Sequence, residues 1–262
     1  MAKSPNPRDG IISESDLLKS LRVADDAVLI GGQALAFWVA YFDLPLPVGP
    51  RAYISGDADF LGVLRHVEIF AETLGGRAEY PSKRQISALH GAVTKITTNG
   101  PKILVDVLRS VVGLAADEVK RRAIKVHHPS DYNVLFEVMN PVDCLVSRFE
   151  NLRKLPDKDK DVGAWQAKIS IAVCNAYLKT LIGMGDERAA IQAATRALRL
   201  AGTAPGLQAF RSHGLELLDS VPVDQFETKS FREQQYAKTA AKILSLREAY
   251  QSPPKTASKR PG

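Results

Sequence analysis

Apolar positions change their spacing along this chain. Up to about residue 140, short β-like runs alternate with amphipathic stretches; beyond Asn140-Pro141 a helical period continues almost unbroken. Ser13, with Asp16 three positions on, opens a helix over 17–23 in capping-box fashion. Residues 27–30 (AVLI) read as a brief buried strand, Gly31-Gly32 as a turn, and 33–42 as a buried helix. Pro45, Pro47, Gly49 and Pro50 end that helix and return the chain to a strand at 52–55. Residues 62–74 are helical by period, with Gly75-Gly76 as their stop. Strand patterns follow at 86–89, 92–97 and 102–108, then a short helix at 115–122 and strands at 124–127 and 133–138. Further helices are predicted over 141–154, 161–183, 186–201, 205–219 and 228–250, with Phe226, Phe231, Tyr236 and Leu244 facing a core or a lid. No repeat of fixed period is present. The order predicts an α+β protein: residues 13–140 as the mixed strand and helix domain, 141–251 as a helical domain, and 1–12 and 252–262 as a flexible arm and tail without the apolar residues that offset ordering entropy.

Composition narrows the class. The chain has 262 residues, of which 45% are hydrophobic and 24% charged, which excludes disorder of the whole and provides for a sizeable core. No apolar run reaches the ~18 residues of a membrane helix, and the first ten residues carry three helix breakers in place of a secretory hydrophobic segment. A cytoplasmic protein without a membrane partner is expected. Cys144 and Cys174 are the only cysteines, too few for a disulfide framework or a four-cysteine zinc site. The net charge of +6 and pI near 9.3 invite a nucleic-acid reading. Lys3, Arg8, Lys255, Lys259 and Arg260 supply most of that excess, so the body between the ends is nearly neutral. Basic ends add at most a salt-sensitive, sequence-independent pull on RNA.

The candidate chemistry lies in three aspartates. Asp57 and Asp59 are two residues apart in a β-like context, which points both carboxylates to one face. Close anions repel and call for a shared proton or a cation. Asp106 interrupts the apolar run KILVDVL, where an unpaired charge is costly to bury. If that run pairs beside the strand of Asp57 and Asp59, three oxygen ligands converge, a set that suits Mg²⁺ or Mn²⁺ together with substrate phosphates. Gly31-Gly32, between strand and helix start, exposes backbone N–H groups at the positive end of a helix dipole, where a triphosphate fits. Each piece also has a plain structural reading: a tight turn for Gly31-Gly32, a solvated turn for Asp57 and Asp59, and a structural aspartate satisfied by Arg109 or backbone donors for Asp106.

Taken in order, the strand, Gly31-Gly32, helix, Arg51-x-x-x-Ser55-x-Asp57-x-Asp59 and later Asp106 resemble the nucleotidyltransferase fold of the DNA polymerase β type. The resemblance covers about residues 26–155. Residues 140–152 (NPVDCLVSRFENL) followed by Lys158-Asp159-Lys160-Asp161 are similar to the helix and basic-acidic motif of AbiEii-like toxins, which are nucleotidyltransferases of bacterial toxin–antitoxin and phage-defence systems. The family implies a mixed sheet flanked by helices with a helical domain after it. It also implies transfer of a nucleotide from an NTP to a tRNA 3′ end or a protein, and a cognate antitoxin as partner. Carried over residue by residue, Asp57, Asp59 and Asp106 hold the metal and are catalytic. Gly31, Gly32, Gln33, Arg51, Ser55, Arg148, Lys158 and Asp161 contact nucleotide. Two departures stand out. Arg148 occupies the place of the family's lysine and forms a different hydrogen-bonding fork, and the usual Arg-Asp pair is represented only by Lys158-Asp159 or Lys160-Asp161.

Other residues carry weaker signals. His127-His128 ends a strand without ligand-spaced partners and reads as an edge or loop pair. Arg51 is read equally as a solvated loop residue or a phosphate contact. Lys83, Arg84, Lys95 and Lys102 mark either a solvated sheet edge or an approach path for RNA or NTP. The departures motivate an alternative function, a catalytically silent nucleotidyltransferase-like module that binds nucleotide, RNA or protein; an antibiotic-modifying nucleotidyltransferase is a minor enzymatic variant.

Overall fold

The computed structural model describes residues 12–45, 56–82, 87–97, 100–155 and 161–251. Arg51, Ser55, Lys83, Arg84, Lys158, the expected strand at 52–55 and the two end segments lie outside them, and Asp161 is described in its backbone only. The architecture is α+β with a mixed seven-stranded sheet among the described residues.

The sheet is laid down around the first apolar run. Val28–Ile30 forms β1, buried throughout, and pairs antiparallel with β2 (Ala58–Leu61) on one side and parallel with β7 (Asp131–Val138) on the other. Strand β2 lies parallel to β5 (Gly100–Leu108), which pairs antiparallel with β4 (Leu89–Thr97), and β4 with β3 (Arg77–Glu79). On the far side β7 pairs antiparallel with β6 (Ile124–His128), so the order is β3-β4-β5-β2-β1-β7-β6. The two strand patterns at 86–89 and 92–97 are one strand from Leu89, continued through irregular register between Leu89 and Gly91. Strand β3 was not expected; its three residues carry too little alternation to register as a pattern.

Helix α1 (Glu14–Arg22) starts where Ser13 Oγ accepts from the Asp16 N–H at 3.1 Å. Helix α2 (Gly31–Tyr41) is apolar on nearly every side and buried accordingly, with the Trp38 indole N–H donating to the Met139 carbonyl at 2.8 Å and Phe37 meeting Phe136 edge-on. The expected Gly31-Gly32 turn is corrected: both glycines are the first residues of this helix. Helix α3 (Leu64–Leu74) stops at Gly75 in the left-handed region, and its Phe70 packs on Phe60 of β2 at 4.7 Å. Helix α4 (Ala116–Arg122) is tied to α5 (Pro141–Lys154) by Arg122, whose Nε and a terminal nitrogen reach the two oxygens of fully buried Asp143 at 3.0 and 3.2 Å. Asn140 caps α5, its Oδ1 accepting from the Val142 N–H at 2.9 Å, with Pro141 in the first turn.

Helix α6 (Asp161–Gly183) follows the predicted range. Compactness divides the chain into residues 1–177 and 178–262, whereas the change from strands to continuous helix falls at Asn140-Pro141. The second unit holds α7 (Glu187–Ala201), α8 (Ala204–His213), short 3₁₀ turns at Leu217–Ser220 and Val223–Gln225, and a π-helical segment Ser230–Tyr236 that runs into α9 (Ala237–Gln251). Phe226 and Phe231 pack together at 4.5 Å in its core, and Arg247 holds both oxygens of Glu216 while lying 3.9 Å from the Phe210 ring. Leu244 is corrected from core to solvent: it is exposed, and its neighbour Ile243 takes the buried position.

Candidate active site

Strand pairing builds the site. Asp57 lies in the bend that leads into β2, and Asp59 is the second residue of that strand. Its Cα partner on one side is Ile30, the residue before helix α2, and on the other is Asp106 of β5. One carboxylate oxygen from each of Asp57, Asp59 and Asp106 lies within 4.8 Å of the others, the one such group of potential metal ligands found among the described residues. Asp57 and Asp106 are buried and Asp59 half-buried. Three carboxylates this close repel strongly unless a cation or protons intervene. Hard oxygen donors in a confined space match Mg²⁺ or Mn²⁺, with room left for further ligands from a substrate. The residues present therefore fit such an ion.

Gly31 has a specific reason to be glycine. A Cβ there would stand 2.0 Å from Asp59 Oδ2, and its φ of +71° lies in the left-handed region that side chains avoid. The absent side chain makes room for the carboxylate at the N-terminal end of α2, where the helix dipole favours negative charge. The residue before this helix, Ile30, supplies no side-chain cap.

The aspartates open onto a cavity of about 450 Å³, whose wall includes Gly31, Gly32, Ser147, Arg148, Asn151 and Gln166. Volumes of a few hundred Å³ suit small-molecule and cofactor sites. Arg148, on α5, is 8% exposed and donates to Gln166 Oε1 of α6 at 2.9 Å. Burial pushes its pKa down, while the negative charges of Cys144, when ionised, and of Asp59 act the other way. The site thus sets a buried guanidinium near a carboxylate cluster, an arrangement that would place opposite charges around a metal-bound anion.

Of the residues expected to form the site, Asp57, Asp59, Asp106, Gly31, Gly32 and Arg148 meet at this cavity. Gln33 is buried in the first turn of α2 and is not part of the cavity wall. Ser147, Asn151 and Gln166 are wall residues that the sequence reading passed over; polar side chains at 147 and 151, one turn apart on an otherwise buried helix, were the available signal. The His127-His128 pair lies on β6 at the sheet edge, with His127 stacked on Tyr132 at 3.9 Å. No family model, curated protein or solved structure matches the chain. Among the described residues no helix is long and apolar enough to cross a membrane.

Proposed function

We propose that the protein is a metal-dependent nucleotidyltransferase with a nucleotidyltransferase fold of the DNA polymerase β type, similar to the AbiEii-like toxins. The observation that carries this reading is the meeting of Asp57, Asp59 and Asp106, brought from β2, the bend before it and the adjacent β5 to within 4.8 Å beside the first turn of a glycine-initiated helix. In this reading the substrate NTP lies in the cavity with its phosphates between the aspartates, the N-terminal turn of α2 and Arg148. An acceptor hydroxyl on RNA, such as a tRNA 3′ end, or on a protein attacks the α-phosphorus in line. The new P–O bond forms as the bond to the bridging oxygen breaks, and pyrophosphate leaves. Asp106 takes the proton of the attacking hydroxyl. A bound Mg²⁺ or Mn²⁺ would make that hydroxyl more acidic and neutralise charge on the leaving group.

Incubation with each of the four NTPs labelled at the α-phosphate, in a bacterial extract, tests the reading. Label is expected on RNA or protein, and Asp57→Ala and Asp59→Ala are expected to abolish it. Absence of transfer with all four NTPs, or transfer that survives both substitutions, sinks the assignment. The resemblance extends to a toxin acting in the cytoplasm and held by an antitoxin. Expression of the wild-type chain should then arrest growth and Asp57→Ala should not; harmless wild-type expression counts against the toxin role.

The second reading is a silent binding module, motivated by Arg148, which stands where the family has lysine and donates to Gln166. Calorimetry separates the two. NTP binding that is independent of Mg²⁺ and releases no pyrophosphate favours the binder.

A further inference from the structure

Two arginines are buried among the described residues, and they are held differently. Arg247 holds both oxygens of Glu216, so its charge is met by a carboxylate. Arg148 forms no salt bridge among the described residues, and Asp59 acts on it as a nearby charge without a hydrogen bond. Its one hydrogen bond there runs from Nη1 to Gln166 Oε1, and its Nε is buried with no acceptor. Gln166, 4% exposed, lies in the second turn of α6, and both side chains wall the cavity of the three aspartates.

The choice of glutamine has a physical consequence. Buried charges are normally paired. A carboxamide oxygen holds a guanidinium by a hydrogen bond but cancels none of its charge, so the charge of Arg148 is left for an anion that enters the cavity. Orientation matters for this group. A guanidinium carries its donors in a fixed planar fork at the end of a side chain with about 2 kcal/mol of rotamer entropy. Fixing Nη1 fixes the plane, and with it the direction of the donors that Gln166 does not take. An ammonium is a point charge with rotating donors and gains little from such a holder. A neutral acceptor beside position 148 therefore suits the arginine of this chain in particular.

We propose that Gln166 is a positioning residue, which orients the Arg148 guanidinium toward the phosphates of the bound NTP and leaves its charge intact. This role rests on the nucleotidyl-transfer reading above.

A double-mutant cycle read by calorimetric titration of the full chain with the four NTPs in Mg²⁺ provides the test. The proteins are the wild type, Gln166→Leu, the near-isosteric Gln166→Met, Arg148→Met, and Arg148→Met combined with Gln166→Leu, each checked for a native melting transition. For the NTP that the wild type binds most tightly, either substitution of Gln166 is expected to weaken binding about tenfold, the worth of one hydrogen bond to a charged group. In the Arg148→Met background, Gln166→Leu is expected to change binding by less than about twofold, because a positioning residue acts through the residue it positions. Binding that both Gln166 variants leave unchanged, or that falls equally with and without Arg148, overturns the positioning role and leaves nucleotide binding standing. No binding of any NTP by the wild type overturns the nucleotidyl-transfer reading and the role with it.

Discussion

Single atoms decide whether the three carboxylates can meet. Asp59 occupies the space that a Cβ on Gly31 would fill, so Gly31→Ala must either displace the carboxylate or strain a helix start at positive φ. The substitution is expected to cost about 1–3 kcal/mol of stability and to weaken Mn²⁺ binding by roughly 10–100-fold. Thermal melting and metal titration measure the two effects. Gly183, where an added Cβ meets nothing within 4 Å, serves as the control, and Gly183→Ala should leave both unchanged or slightly improved. A second prediction concerns the thiols. Cys144 and Cys174 are buried thiols, and burial pushes the Cys144 thiol up to about 12. Thiolate is the reactive form, so neither cysteine should be alkylated by iodoacetamide at pH 8 until the protein unfolds. Rapid modification of the native chain would contradict this.

At the scale of elements, helix α5 carries the cation and the polar pair of the cavity, and its placement depends on Asp143. That carboxylate is fully buried and receives two hydrogen bonds from Arg122 of α4. Removing the guanidinium leaves a fully buried carboxylate without its charge partner, so Arg122→Met should destabilise the fold by about 3 kcal/mol in a denaturant titration. The double substitution Arg122→Met with Asp143→Leu should recover much of the loss, because it removes both charges and keeps side-chain volume. Helix ranges such as 161–183 were legible from the chain because a long stretch rich in apolar residues runs there without a proline. The phase at Leu244 was not. The π-helical segment at Ser230–Tyr236 alters the angular step per residue before α9, and Ile243 becomes the buried residue. Strand β3 was equally hidden, since a three-residue edge strand is fixed by its partner β4 and not by its own pattern.

For the whole molecule, paired carboxylates set the response to acid. The Arg65 guanidinium beside Asp26 holds its carboxyl below the ordinary value, and Arg22 does the same for Asp131. Burial pushes Glu216 up, but hydrogen bonds from Arg247 and the Leu218 N–H outweigh it and leave Glu216 lowered. Each group has a folded pKa below its unfolded one, about 3.9 for aspartate and 4.3 for glutamate. Their stabilisation is therefore complete above the unfolded values and is lost as pH falls through the folded ones. Melting temperature should hold from pH 7 to about 5 and drop below about 4. Arg247→Met should flatten the contribution of Glu216; a profile unchanged by that substitution would remove Glu216 from the account. The exposed pairs Arg22–Asp131 and Arg65–Asp26 contribute little of the effect, which falls mainly to Glu216.

The sequence by itself determined which elements form and which residues were chemically costly. Periodicity fixed most helices, although the one expected over 205–219 stops at His213, where Gly214 turns left-handed, and gives way to the 3₁₀ turn Leu217–Ser220. Apolar runs fixed most strands, and Asp106 inside KILVDVL stood out because burying a carboxylate requires a reason. Even the meeting of the aspartates was written in the chain only as a condition, that one strand lie beside another. Tertiary structure decided that condition through the pairing of Asp59 with Asp106 and of Ile30 with Asp59. It also decided that Gly31 yields its space to a carboxylate and that α5 brings Ser147, Arg148 and Asn151 to the same cavity. The division has a physical cause. Hydrogen-bond period and hydrophobicity act between near neighbours and can be read locally, whereas register and the convergence of charges depend on which distant segments the sheet sets side by side.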